Sequence, residues 1–166
     1  MKFIFGWLRT YYPVLLIVSY LTAVTLIANT ENTGINWHGF MQQFMAGFFL
    51  VFSAFKLLDI KGFANAYARY DLLAKHWHGY GYIYPFLELG LGLLYLLAWV
   101  PVWTYTITII VMGFSSLGVI KSLANKQSIT CACLGTALNV PMSSITLLED
   151  LVMVVMAVMM LVWLSY

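Results

Sequence analysis

Charged residues are scarce in this sequence. They make up 8% of its 166 residues, whereas 63% of the residues are hydrophobic; a typical soluble domain is about one quarter charged. So little polar surface cannot cover a water-soluble globule, which excludes an ordinary soluble domain. The formal net charge of +2 is also too small to indicate a nucleic-acid partner. The chain is therefore predicted to form one domain whose core is shared with a lipid bilayer.

Cysteine is almost absent as well. The chain contains only two, Cys131 and Cys133, which excludes the multi-disulfide framework of a small secreted protein. They stand one residue apart in the segment ITCACLGTALNVP, just before the last hydrophobic run. This close dithiol is the first candidate for chemistry.

Runs without charge define the predicted helices. A helix that crosses about 30 Å of hydrocarbon needs about 20 apolar residues, and Pro101 divides the longest run into a helical hairpin. The sequence predicts an all-α integral membrane protein, a bundle of about five transmembrane helices at residues 11–28, 39–58, 83–98, 102–120 and 145–165. Apolar residues at steps of three and four also predict an amphipathic interfacial helix at residues 60–78.

The basic residues predict the topology. All eight precede span one or lie between spans two and three or spans four and five: Lys2, Arg9, Lys56, Lys61, Arg69, Lys75, Lys121 and Lys126. Loops rich in Lys and Arg stay in the cytoplasm, so the N-terminus and both cysteines are predicted to be cytoplasmic and the C-terminus outside. A cleaved signal peptide is the alternative for span one, but TLIANTEN offers no small-x-small cleavage site.

The two cysteines allow different kinds of chemistry. Two thiolates one residue apart can converge on a soft metal ion such as Cu(I) or Hg(II). They can also close into a small, strained and readily reduced disulfide. A third interpretation is a pair of buried, inert thiols. The residues alone leave all three open.

Three acidic residues fall within the predicted spans. Glu88 lies in span three, where an ionisable group usually faces the bundle interior or a polar cavity. The structural alternative for Glu88 is a pairing with Lys56, Arg69 or a tyrosine hydroxyl. Glu149 and Asp150 are assigned to the first turns of span five, where the helix dipole favours negative charge. Lys56 itself is predicted to be an interfacial anchor.

Methionines supply the remaining candidate ligands. Met142 lies near the cysteines, and Met153 and Met156 lie on one face of span five. Their thioethers can bind Cu(I), although methionine at helical spacing more often serves packing. No organic cofactor is expected from the sequence.

Three segments resemble a known family: FKLLDIKGFANAYARYDLLAKHW, YIYPFLELGLGLLYL and CACLG. They are similar to the MauE/DoxX-like group of redox-associated membrane proteins. The matching positions are Lys56, Asp59, Gly62, Phe63, Tyr70, Pro85, Glu88, Gly92, Cys131, Cys133 and Gly135. The resemblance covers span two to the C-terminus and implies a four-helix core with span one added at the N-terminus.

The resemblance implies a protein of the bacterial inner membrane and two possible functions. MauE is linked to the maturation of a disulfide-rich dehydrogenase subunit, which implies thiol–disulfide work with a thioredoxin-like or quinone partner. Similar proteins can carry a heavy-metal-associated domain before span one, which implies a metallochaperone or a protein with such a domain as partner.

The leading hypothesis from the sequence is soft-metal handling. Cys131 and Cys133 would bind Cu(I) or a similar ion for handover or translocation, with Glu88 and the span-five methionines lining the inner path. The predicted cytoplasmic position of the dithiol favours exchange with a cytoplasmic metal-binding domain. The alternative is a thiol–disulfide redox protein that uses the same cysteines, and a second alternative is a partner subunit without chemistry of its own.

Overall fold

The computed structural model describes residues 2–31, 34–125 and 144–165, and gives the backbone alone for residues 2–10, 31 and 144–146. Its elements are α1 (Lys2–Ala28), β1 (Thr30–Glu31), β2 (Gly34–Ile35), α2 (Trp37–Leu58), α3 (Ile60–Tyr67), α4 (Leu72–His76), α5 (Gly79–Leu97), α6 (Pro101–Ala124) and α7 (Ser144–Ser165). Within these residues, α1, α2, α5, α6 and α7 each contain a stretch long and apolar enough to cross a membrane. The predicted all-α membrane architecture is confirmed.

The long helices extend beyond the hydrophobic runs that predicted them. α5 begins at Gly79 and α6 ends at Ala124, whereas the predicted spans were 83–98 and 102–120. The predicted bounds follow hydropathy, while helical hydrogen bonding continues into the polar segments at the bundle ends. Pro101 takes the first position of α6, where its missing N–H leaves no hydrogen bond unmade.

An aromatic core joins α2 to α5. The rings of Phe48 and Phe52 stack with centroids 4.1 Å apart, and Phe49 stacks on Tyr95 of α5 at 5.9 Å. Gly92 allows this approach, because a Cβ at that position would lie 2.9 Å from the Leu50 side chain and 3.1 Å from its backbone nitrogen. The α2–α5 pair is thus tightly packed along its length.

The predicted interfacial helix at 60–78 is wrong as a single helix. The structure has two short helices there, α3 and α4, separated by a turn at residues 68–71. Asp71 ends the continuity, because its carboxylate accepts hydrogen bonds from the backbone N–H groups of Leu73 and Ala74 at 2.9 and 2.8 Å and so caps α4. The turn sits directly on α6, where a Cβ at Gly118 would lie 3.0 Å from the Tyr70 carbonyl oxygen.

Contacts between helix ends show how the helices are directed. Gln42, near the start of α2, donates a hydrogen bond to the carbonyl of Tyr95, near the end of α5. His38 at the start of α2 faces Trp163 at the end of α7, with ring centroids 6.2 Å apart. The opposite end of the bundle therefore holds the end of α2, the start of α5, the end of α6 and the start of α7. We call it the cysteine end, since α6 ends and α7 begins there and both cysteines lie between these helices in the sequence.

The other end carries exposed tryptophans. Trp37, Trp99, Trp103 and Trp163 are each at least 44% exposed and lie at the helix ends opposite the cysteine end. Tryptophan is enriched at membrane–water interfaces, so these side chains fit the headgroup layer of a bilayer.

Candidate functional site

A buried ion pair links α2 to α5. Lys56, two residues before the end of α2, donates hydrogen bonds from Nζ to both carboxylate oxygens of Glu88 in α5. The two residues are only 6% and 2% exposed. The ammonium group also lies 5.0 Å from the ring centroid of Tyr84 and 5.5 Å from that of Phe63, within cation–π range. Lys56 is thus not the interfacial anchor that the sequence predicted, whereas its pairing with Glu88, the structural alternative, is found.

Two further carboxyl groups enter the same pocket from α7. Glu149 and Asp150 line it together with Lys56, Glu88 and Ser115. Glu149 Oε1 and Asp150 Oδ2 are buried and have no hydrogen-bond partner among the described residues. Among the described residues, three carboxyl groups therefore share the single ammonium group of Lys56. The cavity measures about 30 Å³, enough for one or two water molecules at roughly 10–15 Å³ each.

Aromatic side chains of α3 and α5 form one wall of the pocket. The ring of Tyr67 stacks on Phe63 with centroids 5.1 Å apart and lies 4.7 Å from that of Tyr84. Burial raises the pKa of the Tyr67 hydroxyl well above its usual value, so this wall is uncharged at physiological pH. Burial also raises the pKa of Asp71, although the backbone N–H groups that it caps oppose the shift. The buried ion pair thus lies beside a cluster of aromatic rings.

One comparison with known proteins decides the family. The family described as methylamine utilisation protein MauE matches residues 13–164, nearly the whole chain. The chain belongs to the MauE family. No curated protein and no solved structure shows a significant match to it. With its five candidate spans, the chain is a multi-pass membrane protein of the MauE type.

The family match corrects one expectation. It begins inside α1, so the first span lies within the MauE match. The sequence treated that span as an N-terminal addition to a four-helix core. The resemblance rested on segments after residue 54, and the apolar residues of α1 carry too little motif information to reveal that it belongs to the same match.

The other predicted site residues divide into two groups. Cys131, Cys133 and Met142 lie outside the described residues. Met153 is 2% exposed in the hydrophobic core, and Met156 packs against that core. No group of three or more His, Cys, Asp or Glu side chains suited to a metal ion occurs in the regions that the structure describes. Metal binding by this MauE-family protein therefore stays a prediction.

Glu149 and Asp150 were not predicted from the sequence as pocket residues. Their position predicted a role at the helix dipole, whereas both line the same pocket as Lys56. The available signal was their position inside a predicted span, where ionisable groups usually face a polar interior. The same reasoning singled out Glu88, and it applies to all three carboxyl groups.

Proposed function

We propose that this MauE-family protein is a thiol–disulfide redox protein whose reacting pair is Cys131 and Cys133. One observation carries the proposal: the buried ionisable cluster of Lys56, Glu88, Glu149 and Asp150 lies toward the cysteine end of the bundle. Ionisable groups inside a membrane are costly and usually mark function. The cluster lies at the end of the bundle where α6 ends and α7 begins, and the stretch of sequence between these two helices contains Cys131 and Cys133.

The proposed reaction is an exchange with a thioredoxin-like dithiol. A disulfide between Cys131 and Cys133 closes a small, strained ring and is therefore readily reduced. One thiolate of the partner attacks it and forms a mixed disulfide, and the second partner thiolate then releases the chain. The partner gains a disulfide and loses two electrons and two protons, while Cys131 and Cys133 become thiols by taking them up.

The cluster supports this exchange in two ways. The Lys56–Glu88 pair links α2 to α5 and so stabilises this side of the pocket. Glu149 and Asp150 follow the cysteine segment directly in the chain, at the start of α7, and their unpaired oxygens are available to accept or return the protons of the exchange. We also propose that this end faces the cytoplasm, because all eight basic residues precede the first predicted span or lie in the sequence between spans two and three or spans four and five.

A trapping experiment tests the proposal. Purified protein is oxidised and mixed with a thioredoxin that retains only its attacking cysteine, and covalent adducts are detected on a non-reducing gel. We expect an adduct with the wild-type chain that disappears with dithiothreitol. Cys131→Ser and Cys133→Ser should each give none after the same oxidation, because neither variant can form the internal disulfide that is attacked.

Soft-metal handling by the same cysteines can be distinguished from thiol–disulfide exchange with the same protein preparation. Reduced wild-type protein is incubated with Cu(I) and its metal content is measured after desalting. Stoichiometric copper that is lost in both serine variants, without any thioredoxin adduct in the wild type, would replace the redox proposal with metal handover. Free thiols in every oxidised sample, without copper, would contradict both.

A further inference from the structure

An apolar groove opens between α1 and α7, with α2 as its floor. Its volume is about 170 Å³, and the described residues that line it are apolar except for Glu149. Leu148 and Val152 of α7 are 60% and 41% exposed, and both lie in a stretch long and apolar enough to cross a membrane. In a bilayer the exposed side chains of a spanning helix contact hydrocarbon, so the groove opens to the lipid.

The carboxyl group of Glu149 lies where the groove approaches the cysteine end. Glu149 is five positions after Ser144, the first residue of α7, which corresponds to about 7–8 Å along the helix axis at roughly 1.5 Å per residue. Side chains on an α-helix tilt toward its N-terminus, and the N-terminus of α7 is at the cysteine end. The carboxyl group is therefore within reach of the head-group layer of a bilayer, whereas Val152 and Met153 lie deeper in the hydrocarbon.

Glu149 also belongs to the polar pocket, so the groove and the pocket meet at this residue. Among the described residues, three carboxyl groups line that pocket with the single ammonium group of Lys56, which donates hydrogen bonds to both carboxylate oxygens of Glu88. Glu149 Oε1 is buried and has no hydrogen-bond partner in the part of the chain that the structure describes. A second ammonium group, entering through the groove, would give this oxygen a charge-assisted hydrogen bond and offset the excess of acidic groups.

We propose that the groove binds phosphatidylethanolamine, with one acyl chain between α1 and α7 and the head-group ammonium donating a hydrogen bond to Glu149. An apolar cavity of roughly 150 Å³ accommodates one benzene ring, so the groove accepts a segment of about six acyl carbons. A primary ammonium group carries three N–H donors, whereas the choline group of phosphatidylcholine carries none. Phosphatidylglycerol would add a negative charge beside the carboxyl groups. The groove and the pocket together thus complement an acyl chain that ends in an ammonium head group.

The lipid site is separate from the chemistry proposed for the thiols. Asp150 lines the pocket but not the groove, and its Oδ2 is buried without a hydrogen-bond partner among the described residues. Its carboxyl group stays available on the pocket side while Glu149 pairs with the lipid. Lipid binding is therefore expected to be the same in the Cys131→Ser/Cys133→Ser double variant as in the wild type.

Lipid affinities measured by native mass spectrometry test the proposal. Purified protein is delipidated in detergent and titrated with the dioleoyl forms of phosphatidylethanolamine, phosphatidylcholine and phosphatidylglycerol, which differ only in the head group. We expect the wild type to bind phosphatidylethanolamine at least about tenfold more tightly than the other two, the factor that one hydrogen bond to a charged group commonly supplies. Glu149→Gln should lower this affinity to that for phosphatidylcholine, because the amide keeps the shape of the side chain but not its charge.

Matched variants separate the head-group contact from the acyl-chain contact. Asp150→Asn removes a carboxyl group of the same pocket that does not line the groove, and it should keep the preference for phosphatidylethanolamine. Val152→Trp fills the groove and should weaken the binding of all three lipids at least about tenfold. Val158→Trp should stay within about twofold of the wild type, because Val158 is equally exposed, at 41%, but does not line the groove. If Val152→Trp does not fold, Leu148→Trp takes its place.

Four results would overturn the proposal. Equal affinity of the wild type for the three lipids would exclude the ammonium contact, and a preference for phosphatidylethanolamine that persists in Glu149→Gln would place that contact elsewhere. Equal lipid affinities in Val152→Trp and Val158→Trp would place the acyl chain outside the groove. A dimer that dissociates in Val152→Trp but not in Val158→Trp would assign the groove to a second copy of the chain.

Discussion

Lys56→Met is expected to destabilise the folded protein by about 3–5 kcal/mol, the usual cost of removing one partner of a buried ion pair. Among the residues that the structure describes, Lys56 is the only basic one that lines the pocket. Its removal leaves Glu88, Glu149 and Asp150 facing one another without a positive charge. The free energy of unfolding is measured by titration with SDS in mixed micelles.

The pocket also predicts which of two single variants is the less stable. Glu88→Gln should lower the free energy of unfolding less than Lys56→Met does. Lys56 still has Glu149 and Asp150 beside it after Glu88 loses its charge. The exposed Lys61 provides the matched control, and Lys61→Met should change stability by no more than about 0.5 kcal/mol. Equal stability of Lys56→Met and Lys61→Met would show that the ion pair does not stabilise the fold.

Cys131 and Cys133 are expected to react with a membrane-impermeant maleimide from one side of the membrane only. Inverted vesicles should be labelled and intact spheroplasts should not, because the proposed orientation, based on the rule that basic loops stay in the cytoplasm, puts the cysteine end there. The expected difference is between complete labelling and none. It is read from the mass of the purified chain after labelling.

Two single-cysteine variants serve as labelling controls for the two sides of the membrane. In the Cys131→Ser/Cys133→Ser background, Trp103→Cys at the tryptophan end should be labelled only in spheroplasts, and Lys61→Cys only in inverted vesicles. Both side chains are exposed in the structure. Labelling of the native cysteines in intact spheroplasts, together with the reverse pattern in the controls, would place the dithiol outside the cytoplasm and give it an extracytoplasmic partner.

The five long helices could be predicted from the sequence because hydrocarbon thickness dictates both their length and their lack of charge. The break between α3 and α4 at Asp71 could not be predicted from the sequence. Its neighbours keep the periodicity of one helix, and only the three-dimensional packing of the turn on Gly118 decides that the carboxylate caps a new helix.

The composition of the candidate site was harder to predict. Lys56 and Glu88 are 32 residues apart, and each charge taken alone fits an interfacial position as well as a buried one. Glu149 lies in a different helix again, so no local spacing reveals that it converges with them. The pairing depends on which faces of α2, α5 and α7 meet, and the sequence of a single chain does not specify that.

The most direct test of the account is the oxidation state of the Cys131–Cys133 pair at defined thiol–disulfide potentials. Wild-type protein in lipid nanodiscs is equilibrated with dithiothreitol or glutathione buffers, quenched with acid and treated with a maleimide mass tag. We expect two tags at low potential, none at high potential and a single two-electron transition above about −300 mV, the range of strained and exchangeable disulfides. Two tags at every potential would contradict the account.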